Sequence, residues 1–173
     1  MDQHEDLGPL LSAPPSYLEV RQLLREALGF PWERRPLLIG IDGADGSGKS
    51  SLASWLSWQL EMPAVHLDLF LIRDSDPMRW RLDDLTRIIE AQRELGRPLI
   101  VEGVQLLYAL DTIRRPPDFL IFVEKENHES SMRAEIHSYL VHFLPKDRAQ
   151  YVLKWTSAEH DERVMRAHHA RRE

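Results

Sequence analysis

A chain of 173 residues with 43% hydrophobic and 29% charged residues has the size and balance of one ordinary soluble domain with its own core. A net charge of −6 gives no general basic field for nucleic acid, and the lack of cysteine excludes disulfides and thiolate metal sites and fits a reducing, cytoplasmic setting. The acidic start "MDQHEDLGPL" has no apolar run of the kind a secretory signal needs, and no stretch nears the ~18 apolar residues of a membrane span.

In chain order, residues 1–15 carry Gly8-Pro9 and Pro14-Pro15 and read as a flexible lead-in, with 16–173 as a single domain. Ser16, with Glu19 three residues on, has capping-box spacing for a helix through Leu18, Leu23, Leu24 and Leu28 that Gly29 stops. "FPWERRP" is a turn, and "LLIGI" (37–41) is the apolar run of a strand buried on both faces. After Gly48 the spacing of Leu52, Trp55, Leu56, Gln59 and Leu60 predicts a helix that Pro63 ends, with Trp55 in the core and Trp58 off that face, against another helix. "AVHLD" (64–68) is a second strand and 69–80 an irregular loop. Leu82, Leu85, Ile88, Ile89 and Leu95 predict an amphipathic helix ending at Gly96. "PLIVE" (98–102), "VQLLYAL" (104–110) and "DFLIFVE" (118–124) read as strand, short helix and strand, and from Ser130 onward the chain reads as helical with a break near Pro145. Strands alternating with helices predict a three-layer α/β fold around a parallel sheet of four to five strands.

The chemistry centres on "GADGSGKS", Gly43 to Ser50, which has the spacing G-x-x-x-x-G-K-[ST] and sits between a predicted strand and a predicted helix, the context this phosphate-binding loop requires. Gly43, Ala44, Asp45, Gly46, Ser47, Gly48, Lys49, Ser50 and Ser51 are the nucleotide-binding candidates. Glycines let backbone N–H groups face phosphate oxygens, and the helix N-terminus adds favourable partial charge. Lys49 is placed to reach the β- and γ-phosphates of ATP, and the Ser50 hydroxyl to hold Mg²⁺. Asp68 and Glu102 close the second and third predicted strands, so a parallel sheet carries both to the edge where the loop leaves the first. Phosphoryl transfer needs metal ligands and a group that orients or deprotonates the acceptor hydroxyl, and these two carboxylates can supply both; the bland alternative is that each caps a following helix.

"IGIDGADGSGKSSLA", "HLDLF", "LIVEGVQLL" and "DFLIFVE" together resemble the uridine kinase and phosphoribulokinase group of P-loop kinases, to which bacterial-type pantothenate kinases are similar, over residues 37–124. The resemblance implies a P-loop kinase fold and an ATP- and Mg²⁺-dependent transfer to a small-molecule hydroxyl. It implies that Asp68 of Asp68-Leu69-Phe70 is the catalytic base and that Glu102 of Glu102-Gly103 approaches the metal. The chain departs from the group in three respects. Gly96-Arg97-Pro98 runs directly into "LIVEG" without the segment that shapes a nucleoside pocket; the arginine-rich lid reduces to Arg133 in "ENHESSMRAEIHSYL"; and no late strand is evident. The acceptor therefore stays open among nucleosides, sugars, vitamin precursors and other alcohols.

Arg133 is a candidate to neutralise transition-state charge or a surface helix residue. Asp74, Asp76, Arg79 and Arg81 line an acceptor pocket or form a solvated loop, and Arg148, Arg163 and Arg166 are further lid or adenine-side candidates. The histidines do not form a metal pattern: His128 lacks the second histidine of H-E-x-x-H, and His137 and His142 are five apart. Two other functions compete with the kinase: a P-loop ATPase or nucleotide-sensing protein without an acceptor, and a kinase-like fold that acts through partners. The Asp68-x-Phe70 element favours a kinase, since an ATPase needs no acceptor base there.

Overall fold

The computed structural model describes residues 13–75, 77–125 and 134–155. Asp76, Arg133, Arg163 and Arg166 fall outside the described residues. Helix α1 (Pro15–Leu28) leads into strand β1 (Leu38–Gly43) and helix α2 (Lys49–Leu60), followed by strand β2 (Ala64–His66) and a single 3₁₀ turn, Leu67–Phe70. Helix α3 (Leu82–Glu94), strand β3 (Leu99–Gly103), helix α4 (Leu106–Thr112) and strand β4 (Phe119–Lys125) come next. Helix α5 (Ala134–Phe143), the short α6 (Pro145–Arg148) and strand β5 (Tyr151–Trp155) complete the described order.

The five strands form one parallel sheet in the order β2-β3-β1-β4-β5. β1 is central, flanked by β3 and β4, as the resemblance to P-loop kinases implies. Side chains alternate between the faces of a strand, so a strand covered on both sides buries every residue. β1 does this: Ile39 and Ile41 pack with α1 and α2 (Leu24, Leu52, Leu56), while Leu38 packs on the opposite face with α3 and α4 (Leu85, Leu106, Leu110). These two cores make the three layers. Fully burying each such leucine or isoleucine contributes about 1.5–3 kcal/mol, which is what holds helices of this length in place.

Five local expectations are corrected. α1 begins on Pro15 with Pro14 as its cap residue and no side-chain cap, so Ser16 lies inside the helix rather than capping it; proline's fixed φ suits the first helical position. The strand after α2 ends at His66, and Asp68 lies in the 3₁₀ turn beyond it. Trp58, expected against another helix, is 63% exposed, and Leu95, expected on the apolar face of α3, is 62% exposed, whereas Trp55 packs half-buried against Tyr17 with ring centroids 5.4 Å apart. The late strand exists: "YVLKW", read above as helical, pairs with β4 from Ile121↔Tyr151 to Lys125↔Trp155. A free sheet edge beside β4 and the β-prone Tyr, Val and Trp outweigh its local helical setting.

Candidate functional site

The phosphate loop is built as its sequence requires. Gly46 and Gly48 have φ of 69° and 91°, in the left-handed region that glycine enters without penalty. At Gly43 a Cβ would stand 2.5 Å from the Val123 carbonyl oxygen and 2.8 Å from Ser47 Oγ, so no side chain fits where the loop leaves β1. α2 starts directly after Gly48 with no side-chain cap, which leaves the N–H groups of its first turn facing the loop. Lys49 is buried at 5% exposure, and its Nζ donates to the Ala44 carbonyl at 3.2 Å. Ala44 and Gly48 are half-buried, Ser47 is buried, and Asp45, Gly46, Ser50 and Ser51 are exposed.

Glu102 joins this loop. Its register partner is Ile41, so it emerges at the tip of β3 on the α2 face of the sheet. Ser50 Oγ donates to Glu102 Oε1 at 3.0 Å, across 52 residues of sequence. His66 Nδ1 lies 2.6 Å from the same oxygen, and because a carboxylate only accepts, Nδ1 carries the proton. Glu102 is 1% exposed, and its Oε2 is buried without a hydrogen-bond partner among the described residues. A buried carboxylate oxygen left unpaired is costly unless a ligand supplies the missing charge. Mg²⁺ is normally held by one or two protein oxygens together with substrate phosphates, and a loop hydroxyl beside a buried, half-satisfied carboxylate fits that donor set. Asp68, the third metal candidate, is not gathered in: among the described residues no group of three His, Asp or Glu side chains is placed to hold a metal ion.

Asp42, between "IGI" and the loop, is a buried carboxylate beside the site that spacing did not single out. It is 1% exposed and points to the face opposite Glu102. Gly43 N–H donates to its Oδ1 at 2.7 Å, and the Tyr139 hydroxyl of α5 donates to its Oδ2. Tyr139 in turn accepts from Leu107 N–H of α4 at 3.1 Å. Burial raises the Asp42 carboxyl to about 6, against the opposing pull of the Tyr139 and Gly43 donors and the Lys49 charge. Burial and the Asp42 charge push the Tyr139 phenol upward.

The acceptor side is looser. Asp68 is exposed, and its carboxylate makes no hydrogen bond or ion pair with the described residues. Its turn is nonetheless anchored. Leu67 is fully buried, and a Cβ on Gly103 would lie 2.4 Å from the Leu67 Cβ, so the glycine of Glu102-Gly103 is what lets the turn close on β3. The segment beyond folds back through the antiparallel bridge Leu71↔Trp80, and the Arg81 guanidinium donates to the Leu69 carbonyl at 2.8 Å. Asp74, Arg79 and Arg148 are exposed, and Arg81 pairs with Asp84, so none of the four is drawn to the loop.

No protein-family model matches the chain, and no curated protein matches it. Among solved structures it is similar to a possible uridine kinase from Bacillus stearothermophilus, at 19% identity and a TM-score of 0.58, over 80% of this chain and 97% of that one. A sugar kinase from Janibacter sp. matches at 16% identity and a TM-score of 0.48, over 69% of this chain and 84% of that one. The chain has the fold of a P-loop kinase. Among the described residues no helix is long and apolar enough to cross a membrane.

Proposed function

We propose that this chain is an ATP-dependent small-molecule kinase that moves the γ-phosphoryl group of ATP to a hydroxyl of an acceptor. The observation that carries the reading is the 3.0 Å contact between Ser50 and the half-satisfied, buried Glu102, made where the phosphate loop meets the sheet edge. The name of the Bacillus stearothermophilus neighbour, a possible uridine kinase, supports an alcohol acceptor of the nucleoside type as one class to try first.

In this reading the amides of residues 43–51 cradle the phosphates, and Lys49 leaves the Ala44 carbonyl to pair with the β- and γ-oxygens. Ser50 and Glu102 would hold Mg²⁺, which neutralises charge on the β- and γ-phosphates when bound. Asp68 accepts the proton of the acceptor hydroxyl as that oxygen forms its bond to the γ-phosphorus and the bond from phosphorus to the bridging oxygen breaks, leaving ADP. An exposed carboxylate without protein partners among the described residues suits this role, because its acceptor capacity is free for substrate. Arg133 is proposed to meet the charge that develops on the transferring group.

The test is an ATP-consumption screen over hydroxyl-bearing metabolites, with Asp68→Asn as control. A base contributes roughly 10²–10⁴ in rate, so the variant should lose that much turnover while ATP affinity holds. Unchanged turnover on an identified acceptor would remove Asp68 from the chemistry. ATP loss that no acceptor stimulates would favour an ATPase.

A further inference from the structure

His66 stands inside the site without a part in the chemistry proposed above. It closes β2, directly opposite Glu102 in the parallel register and two residues before Asp68. The pairs behind it in that register, Ala64↔Ile100 and Val65↔Val101, are apolar. At the tip the pairing turns polar, and the two side chains share a face and meet at 2.6 Å. Ser50 Oγ reaches the same oxygen, Oε1, at 3.0 Å. Two donors therefore converge on one carboxylate oxygen while the other, itself buried, has no partner among the described residues.

That asymmetry has a physical consequence. A carboxylate held by one donor can rotate about its terminal torsion, which is broad. Held at Oε1 from two directions, by a helix on one side and a strand on the other, it keeps its plane and keeps Oε2 apart. We propose that His66 is a positioning residue: with Ser50 it clamps Oε1 of Glu102, so that Oε2 is the oxygen kept for a divalent cation that arrives with the nucleotide. This rests on the reading of Glu102 as the metal-side carboxylate. Groups that orient a metal ligand in this way typically account for about 10–100-fold in metal affinity.

The test compares His66→Ala, His66→Asn and His66→Gln. The side-chain amide of Asn places an N–H close to where Nδ1 stands, whereas that of Gln places it near Nε2. Binding of Mn²⁺ is followed by electron paramagnetic resonance in the presence of a non-hydrolysable ATP analogue, and binding of the analogue alone is followed by calorimetry in EDTA. His66→Ala and His66→Gln should weaken Mn²⁺ by about 10–100-fold and His66→Asn by only a few-fold, with metal-free analogue affinity the same in all. Wild-type Mn²⁺ affinity in the Ala or Gln variant overturns the proposal, and so does equal loss in the Asn and Gln variants, which settles the matter even if the Ala protein does not fold. Loss of metal-free analogue binding alongside Mn²⁺ binding assigns His66 to the architecture of the strand tip and also overturns it. If the wild-type protein binds the analogue without holding Mn²⁺, the reading of Glu102 fails first and takes the clamp with it.

Discussion

Asp42 and Glu102 sit at the tips of neighbouring strands, each 1% exposed, and face opposite sides of the sheet. Asp42 is closed: a backbone N–H and a phenol hydroxyl satisfy its two oxygens. Glu102 is open: two donors crowd one oxygen, and the other has none among the described residues. Burial alone does not mark a functional carboxylate. Asp42, with both oxygens bonded inside the protein, is a strut that ties the start of the phosphate loop to α4 and α5. Glu102, with one bond missing among the described residues, is the carboxylate to which the proposed function assigns a cation. The charge of Lys49 bears on Asp42, while its ammonium rests on the Ala44 carbonyl.

The largest expected effect falls on Lys49. Lys49→Ala removes the cation of the loop, and losing a preorganised charge-stabilising donor costs on the order of 10²–10³ in turnover. The fold should survive, since alanine is the better helix former and the ammonium's hydrogen bond goes to a carbonyl of the loop itself. Turnover at the wild-type level with a normal thermal midpoint would sink the phosphate-loop reading. Next comes the open carboxylate. In Glu102→Gln the amide oxygen can still accept from Ser50 and His66, while the N–H₂ group takes the place of the unpaired oxygen and meets a cation with the wrong charge. Metal affinity should fall by about 10–100-fold with little change in the thermal midpoint. Equal Mg²⁺ dependence in variant and wild type would erase the distinction between the two poles.

What the sequence discloses follows from the range of each signal. The phosphate loop and the β1, β3 and β4 runs are legible because their causes are local: glycine conformation, strand burial and helix start act over short stretches of chain. Glu102 is legible as a strand tip beside the loop, and parallel topology supplies the rest. Asp42 is not, because the group that makes it special, Tyr139, is 97 residues away on another layer. His66 is hidden for the same reason; only the register of β2 on β3 brings it to Glu102. β5 is missed because it follows two helical segments and owes its conformation to the edge of β4 that it covers. Asp68 is found as a carboxylate after the second apolar run, and resemblance supplies its role, but it is placed on a strand that ends before it, since nothing local separates the end of a strand from a 3₁₀ turn packed on Gly103.

The closed carboxylate yields the smallest expected effect and the one least connected to turnover. Burial holds Asp42 at about 6 in the folded chain, against an ordinary value of 3.8. Between these two values the folded state binds more protons than the unfolded state, so stability falls as pH rises through this window, and above about 6 the penalty is present in full. The shift corresponds to on the order of 2 kcal/mol between about pH 4.5 and about pH 7. In an Asp42→Asn variant the new amide keeps an oxygen for Gly43 N–H and has no charge to desolvate. The unfolding free energy of wild type minus variant, from denaturant melts at about pH 4.5 and about pH 7, should therefore drop by about 2 kcal/mol at the higher pH. Subtracting the variant removes every other titrating group from the comparison. If the difference is flat in pH, Asp42 is ionised at no cost and the strut is an ion pair with Lys49 instead. If the variant gains stability at neutral pH and also loses nucleotide affinity, the closed pole belongs to the binding site after all, and the two carboxylates differ in partner rather than in purpose.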